Sequence, residues 1–267
     1  MATKRKTYNL RNGDVIYVEE HHDGNYGAPG KGRAKRAKPT KEQMQLINQQ
    51  NKMKRARLRL LEYFNPGDIF ATWTYAKDKR PPDMKTALKH FQVAMRIVRK
   101  EYKKRGREVF WIRNIERGTK GAWHIHLVIN QIGDTVNILE KAWEHGGIYV
   151  SSIQKNDKVY DADFTKLAAY ITKDENTKYK KDDGEDGKPR IREASYSTSR
   201  NMPLPEPKKK ELVRWKDEVK PKKGYYILRI HEGIDPVGFK YRRYTMVRIE
   251  SERDKLIREV RATWNSE

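Results

Sequence analysis

Two apolar runs, Arg107–Glu116 (REVFWIRNIE) and Ala122–Asn130 (AWHIHLVIN), flank the five residues Arg117-Gly118-Thr119-Lys120-Gly121. Both runs are rich in β-branched and aromatic side chains, and a short connection containing glycine folds such runs into an antiparallel hairpin. The rest of the central region has to pack around that hairpin. Ahead of it, Asp68–Tyr75 (DIFATWTY) reads as a strand. Pro81-Pro82 then opens a helix through about Lys104, with Ala87, Phe91, Met95 and Val98 on one stripe. Behind it, residues 134–145 read as a helix, Gly146-Gly147 break it, and residues 148–153 form a strand. A last helix runs from Asp163 to about Lys173. The order β-α-β-β-α-β-α predicts an α+β fold: a central antiparallel β-sheet with packed helices. There is no internal repeat.

Outside the central region, 65–178, the chain divides by composition. Residues 1–39 are rich in Gly, Lys and Arg and are expected to be a basic flexible arm. Residues 40–64 form a helical extension that starts at Thr40 and stops before Asn65-Pro66-Gly67. Residues 179–201 are expected to be a charged linker or exposed loop. Residues 202–267 form a C-terminal α/β extension, with strands at 225–231 and 241–249 and a terminal helix from about 250, packed on the same domain or standing apart. Gly24–Gly32 lacks the G-x-x-x-x-G-K-[ST] spacing and the strand–loop–helix context of a phosphate-binding loop, which excludes an NTPase.

The chain has 59 Lys+Arg against 36 Asp+Glu, a net charge of +23 over 267 residues. The excess is spread along the whole chain and is densest near the N-terminus. Such a field draws in phosphate backbones by counterion release, without regard to sequence. With no Cys, disulfides, thiol catalysis and Cys-ligated zinc are excluded. No apolar run approaches the roughly 20 residues of a membrane span. The opening residues carry no apolar stretch that would mark secretion. The expectation is a cytoplasmic protein with a polyanionic partner.

Three features carry chemistry. In Trp123-His124-Ile125-His126-Leu127 the two histidines share one face of a strand, because strand side chains alternate. Two imidazoles on one face suit a divalent cation. Glu116 stands on the preceding strand, where the hairpin can bring a hard oxygen ligand to them. A His₂-carboxylate set without Cys leaves coordination positions open for a phosphate oxygen and water, which fits Mn²⁺ or Mg²⁺. In Leu167-Ala168-Ala169-Tyr170-Ile171-Thr172-Lys173-Asp174, Tyr170 and Lys173 share a helix face. A phenol with a pKa near 10 attacks only where a cation or metal stabilises its phenolate, and Lys173 can help. Taken singly, each feature has a plainer reading: a chance His pair, a solvated carboxylate, a core tyrosine beside a solvated lysine.

As an ordered set, these residues resemble the HUH endonuclease superfamily. The single-tyrosine rolling-circle replication initiators (Rep proteins) of small phages, plasmids and single-stranded DNA viruses come nearest. Phe70-Ala71-Thr72-Trp73-Thr74-Tyr75 resembles the first family motif, His124-Ile125-His126 with Glu116 the second, and Tyr170-Ile171-Thr172-Lys173 the third. The resemblance covers about residues 65–178 and implies a ferredoxin-like, RRM-like sheet. It implies an enzyme that nicks single-stranded origin DNA through Tyr170, leaving a 5′-phosphotyrosyl link and a free 3′-hydroxyl, and later rejoins the strand. Glu116, His124 and His126 would hold Mn²⁺ or Mg²⁺, and Lys173 would support the reaction.

The implied partners are single-stranded and hairpin origin DNA with a host helicase and polymerase, in the cytoplasm of a bacterial host. No membrane and no small-molecule cofactor are implied. Further DNA contacts are expected from the aromatics Trp73 and Trp123, which could stack unpaired bases. Arg33, Lys35, Arg36, Lys52, Lys54, Arg55 and Arg57 could grip duplex beside the nick, or form a solvated face. The alternatives are a single-tyrosine HUH transposase or relaxase and a non-catalytic basic nucleic-acid-binding module.

Overall fold

The computed structural model describes residues 2–23, 40–156, 160–178, 187–188, 190–234 and 240–250. The chain folds as two compact units: Lys38–Leu204, and Met1–Ala37 with Pro205–Glu267.

The first unit holds α1 (Lys41–Tyr63), β3 (Ile69–Thr74), α2 (Met84–Lys104), β4 (Trp111–Gly118), β5 (Trp123–Ile129), α3 (Thr135–Ala142), β6 (Ile148–Ser152), α4 (Thr165–Ile171) and β7 (Ile191–Thr198). Both long helices start on side-chain caps. Thr40 and Gln43 form a reciprocal capping box at α1, and the Asp83 carboxylate accepts the Thr86 amide at 2.7 Å at α2. The expected hairpin is β4–β5, and all strand pairs are antiparallel in the order β6-β3-β5-β4-β7. Numbered within the β-α-β-β-α-β repeat, this is the order 4-1-3-2 with β7 added beside the second strand. The expected α+β architecture is therefore present.

Period-2 alternation separates the two sheet faces. Ile69, Ala71, Trp73 and Tyr75 on β3 and its end, with Ile115, Ile125, Leu127 and Ile129, face α2 and α3 and form the main core. Ala87, Phe91, Ala94, Met95, Val98 and Tyr102 give α2 its buried stripe. Trp73 stacks on Trp143 at 4.8 Å between ring centroids. Trp73 and Trp123 are 0% and 2% exposed. This corrects the expectation that they stack unpaired bases: their parity matches Ile125, not the histidines. One glycine is required for close approach. A Cβ at Gly146 would collide with the Thr74 carbonyl and the Ala76 amide, where the loop after α3 pairs with the end of β3.

The second unit is a five-stranded antiparallel sheet of β1 (Ala2–Leu10), β2 (Val15–Asp23), β8 (Lys208–Leu212), β9 (Tyr225–Ile234) and β10 (Lys240–Arg248), ordered β8-β1-β2-β10-β9. Ile16, Val18, Tyr225, Tyr244 and Met246 make its core. Residues 2–23 are thus strands and not part of a flexible arm. Their alternation is interrupted by charges such as Glu20, which the fold buries against Arg5 at 2.5 Å and Arg242 at 2.6 Å. Residues 24–39, including Arg33, Lys35 and Arg36, lie outside the described residues, as does the expected terminal helix beyond 250. The expected linker is corrected in part: Ile191–Thr198 pairs with β4 as the edge strand β7, while residues 179–186 and 189 lie outside the described residues. Among the described residues no helix is long and apolar enough to cross a membrane.

Candidate active site

β5 carries both histidines, and its neighbours fix what they face. Antiparallel pairing sets His126 opposite Thr72 and Asn114, and His124 opposite Thr74 and Glu116. Directly opposed residues share a sheet face. All six therefore project from the face opposite the α2–α3 core. One ligand atom from each of Glu116, His124 and His126 lies within 4.8 Å of the other two.

Hydrogen bonds orient this set. His126 Nε2 and Glu116 Oε1 are 2.9 Å apart, and His126 Nδ1 and Thr72 Oγ1 are 3.0 Å apart. An ionised carboxylate only accepts, so Nε2–H donates to Glu116 and Nδ1 accepts from the Thr72 hydroxyl. Lys173 Nζ lies 3.0 Å from the other Glu116 oxygen, Oε2. The Tyr170 ring meets His126 edge-on at 5.2 Å and Phe70 edge-on at 5.7 Å, with the Lys173 ammonium 4.0 Å from its centroid. Glu116, His126 and Lys173 are buried, whereas His124 and Tyr170 are half-buried and open to solvent.

Burial and neighbouring charges set the protonation states. Burial opposes ionisation of Glu116, but the His126 hydrogen bond and the charges of His126 and Lys173 outweigh it and hold the carboxyl below its usual range. Burial, and then their like-charged neighbours, lower His124 and His126, although Glu116 acts the other way. Both rings are neutral near pH 7, the state in which imidazole ligates metal. Burial, with Glu116 adding to it, pushes the Tyr170 phenol up to about 12. Two neutral imidazoles and a carboxylate suit a hard or borderline divalent cation, so the donor set fits Mn²⁺ or Mg²⁺.

α4 is only seven residues long and is held from outside. Gln49 Nε2 donates to the Thr172 carbonyl at 2.9 Å, and Lys52 pairs with Asp174 at 2.7 Å. Arg57 donates to the Asp163 carbonyl at 2.9 Å and to its carboxylate at 3.0 Å. From the sheet, Asn114 Nδ2 donates to the Lys173 carbonyl at 2.8 Å. This corrects the expected grip on duplex at two positions: Lys52 and the buried Arg57 tie α1 to the nucleophile segment. Arg55 is exposed and Lys54 half-buried on the same helix.

Sequence reasoning brought together Glu116, His124, His126, Tyr170 and Lys173, and these five meet on one face. It missed Thr72 and Asn114 as partners of His126 and Lys173. The signal for Thr72 was present in the T-x-T pattern, whose parity follows the histidines. It also missed Tyr149, which pairs with Thr72 on edge strand β6 and is 71% exposed on the site face.

No curated protein and no solved structure matches the chain. A family model does match, and the matched stretch encloses β3 through α4 with every one of the five converging residues. Over residues 68–175 the chain is similar to the replication-associated protein ORF2 family, a family of rolling-circle replication initiators.

Proposed function

We propose that the chain initiates replication by nicking single-stranded origin DNA through Tyr170 and later rejoins it. The family match supports a role in DNA replication. The observation that carries the chemistry is the convergence of Glu116, His124 and His126 on one sheet face with Tyr170 beside them.

Glu116, His124 and His126 would hold a divalent cation, which would polarise the scissile phosphate and offset the negative charge that raises the Tyr170 phenol. Tyr170 supplies the nucleophile: its Oη–P bond forms as the P–O3′ bond breaks. The phenolic proton is lost and the leaving 3′-oxygen gains one. The result is a 5′-phosphotyrosyl link and a free 3′-hydroxyl. The reverse attack restores the strand, so no nucleotide cofactor is consumed. Lys173, against both the phenol ring and Glu116, stabilises negative charge on the nucleophile and the phosphate in flight. Tyr149, exposed on the same face, offers a ring on which an unpaired base can stack.

The test is cleavage of end-labelled single-stranded DNA from the cognate replicon. Wild-type protein should cut at one position with Mn²⁺ and not with EDTA. Tyr170→Phe should lower the rate roughly a thousand-fold or more, and Lys173→Ala about 10- to 100-fold. Metal-independent cutting, or full activity of Tyr170→Phe, would contradict the reading.

A further inference from the structure

The second unit, which the family match does not reach, carries an open groove of about 810 Å³ on one face of its sheet. Seven Lys or Arg side chains line it against a single Glu, Glu218. Two of the seven are committed internally: Arg5 and Arg242 bind the buried Glu20, and Arg242 also reaches Glu232 at 3.3 Å. These contacts form a row of opposed residues across all five strands, Lys210–Arg5–Glu20–Arg242–Glu232. The row fixes the floor of the groove.

The other five, Lys208, Lys210, Lys216, Lys220 and Lys222, are exposed around that floor. Glu218 lies 3.8 Å from Lys220 with both side chains about four-fifths exposed, a pair that solvent screens almost entirely. The rim therefore keeps its positive charge. Lys208 and Lys210 occupy alternate positions of β8, so they project from the same face about 7 Å apart. They stand on an edge strand, at the side of the sheet. The aromatic ring lining the groove, Tyr244, is buried and offers no face to an unpaired base. Cations without a stacking platform recognise phosphate rather than bases.

We propose that this groove binds the phosphodiester backbone of duplex DNA, independently of sequence and of the reaction centre. The proposal goes beyond the nicking reading and needs neither Tyr170 nor a metal. It gives the chain a hold on duplex while the other unit handles a single strand, and two linked weak contacts raise the local concentration of each site at the other.

The test uses the full chain in EDTA with a labelled duplex of arbitrary sequence, followed by fluorescence anisotropy over a salt series. The variant Lys208→Glu/Lys210→Glu/Lys216→Glu should bind at least tenfold more weakly near 0.1 M salt. Its plot of log K against log salt should be shallower by about 2 to 3, from roughly 0.9 per lost phosphate contact. Lys208→Gln/Lys210→Gln/Lys216→Gln, which avoids charge reversal in the fold, should move the same way by a smaller amount. A control with three exposed lysines of α2 changed, Lys85→Glu/Lys89→Glu/Lys100→Glu, should keep the steep slope. Cleavage of a short single-stranded oligonucleotide should be unchanged in the groove variants.

An unchanged slope in both groove variants would overturn the proposal. So would an equal loss in the α2 control, which would reduce the effect to net charge. Loss of capture by phosphatidylserine vesicles with duplex binding intact would overturn it too, by assigning the groove to an anionic lipid surface. Loss of cleavage in Tyr170→Phe, or its retention, bears on the other reading and leaves this comparison intact.

Discussion

Metal ligation by His126 Nε2 requires that nitrogen to be unprotonated, and the ring's remaining proton then lies on Nδ1, facing Thr72 Oγ1 at 3.0 Å. A hydroxyl can accept there as readily as it donates in the metal-free ring, so Thr72 holds the imidazole plane in either tautomer. Thr72→Val, close in volume, should weaken Mn²⁺ binding about 10- to 100-fold by titration calorimetry, and Thr72→Ser should restore most of it. The same residues set a pH dependence. Burial first, and then nearby cations, lower His124 and His126 below their ordinary 6.5. Between 6.5 and their folded values the unfolded chain therefore binds more protons than the folded one, and stability falls as pH falls through that window. Glu116, held below its ordinary 4.5, adds a second loss at more acidic pH. The melting temperature of metal-free protein should drop from about pH 7 to about pH 5.5, and His124→Gln/His126→Gln should flatten that drop; equal slopes would contradict the assignment.

The nucleophile's position is a property of elements. α4 is too short to be stable by itself, and its ends are tied to α1 through Gln49, Lys52 and Arg57 and to β4 through Asn114. Arg57→Ala would leave the Asp163 carboxylate, 2% exposed, without its cation. The expected cost is about 3–5 kcal/mol in chemical denaturation, together with slower cleavage at unchanged DNA affinity. Were Arg57 a DNA contact, affinity would fall and stability would hold. This is where the sequence was least legible. The local patterns were readable: the capped start of α1, the apolar stripe of α2, and the hairpin that turns Glu116 toward His124. What α1 packs against depends on pairing with residues more than a hundred positions away, and nothing in KMKRARLR marks Arg57 as buried. The second sheet was missed for the same reason. β1 and β2 close only with β8 and β10, at the far end of the chain, and Glu20 looks solvated until Arg5 and Arg242 enclose it.

For the whole molecule, a charge of +23 makes DNA affinity cheap and unspecific, while the chemistry rests on a few buried groups. Binding and cutting should therefore separate. EDTA should stop cleavage and leave most of the affinity for DNA, and raising salt should erode affinity with a steep slope. Parallel loss of both on chelation would instead make the cation part of the fold. The most direct test of the account is mass spectrometry of the protein after reaction with cognate single-stranded DNA and Mn²⁺, followed by nuclease and protease digestion. The account predicts a nucleotide attached through phosphate to the peptide containing Tyr170, with a free 3′-hydroxyl on the released fragment. Cleaved DNA with no adduct, or an adduct on another tyrosine, would contradict it.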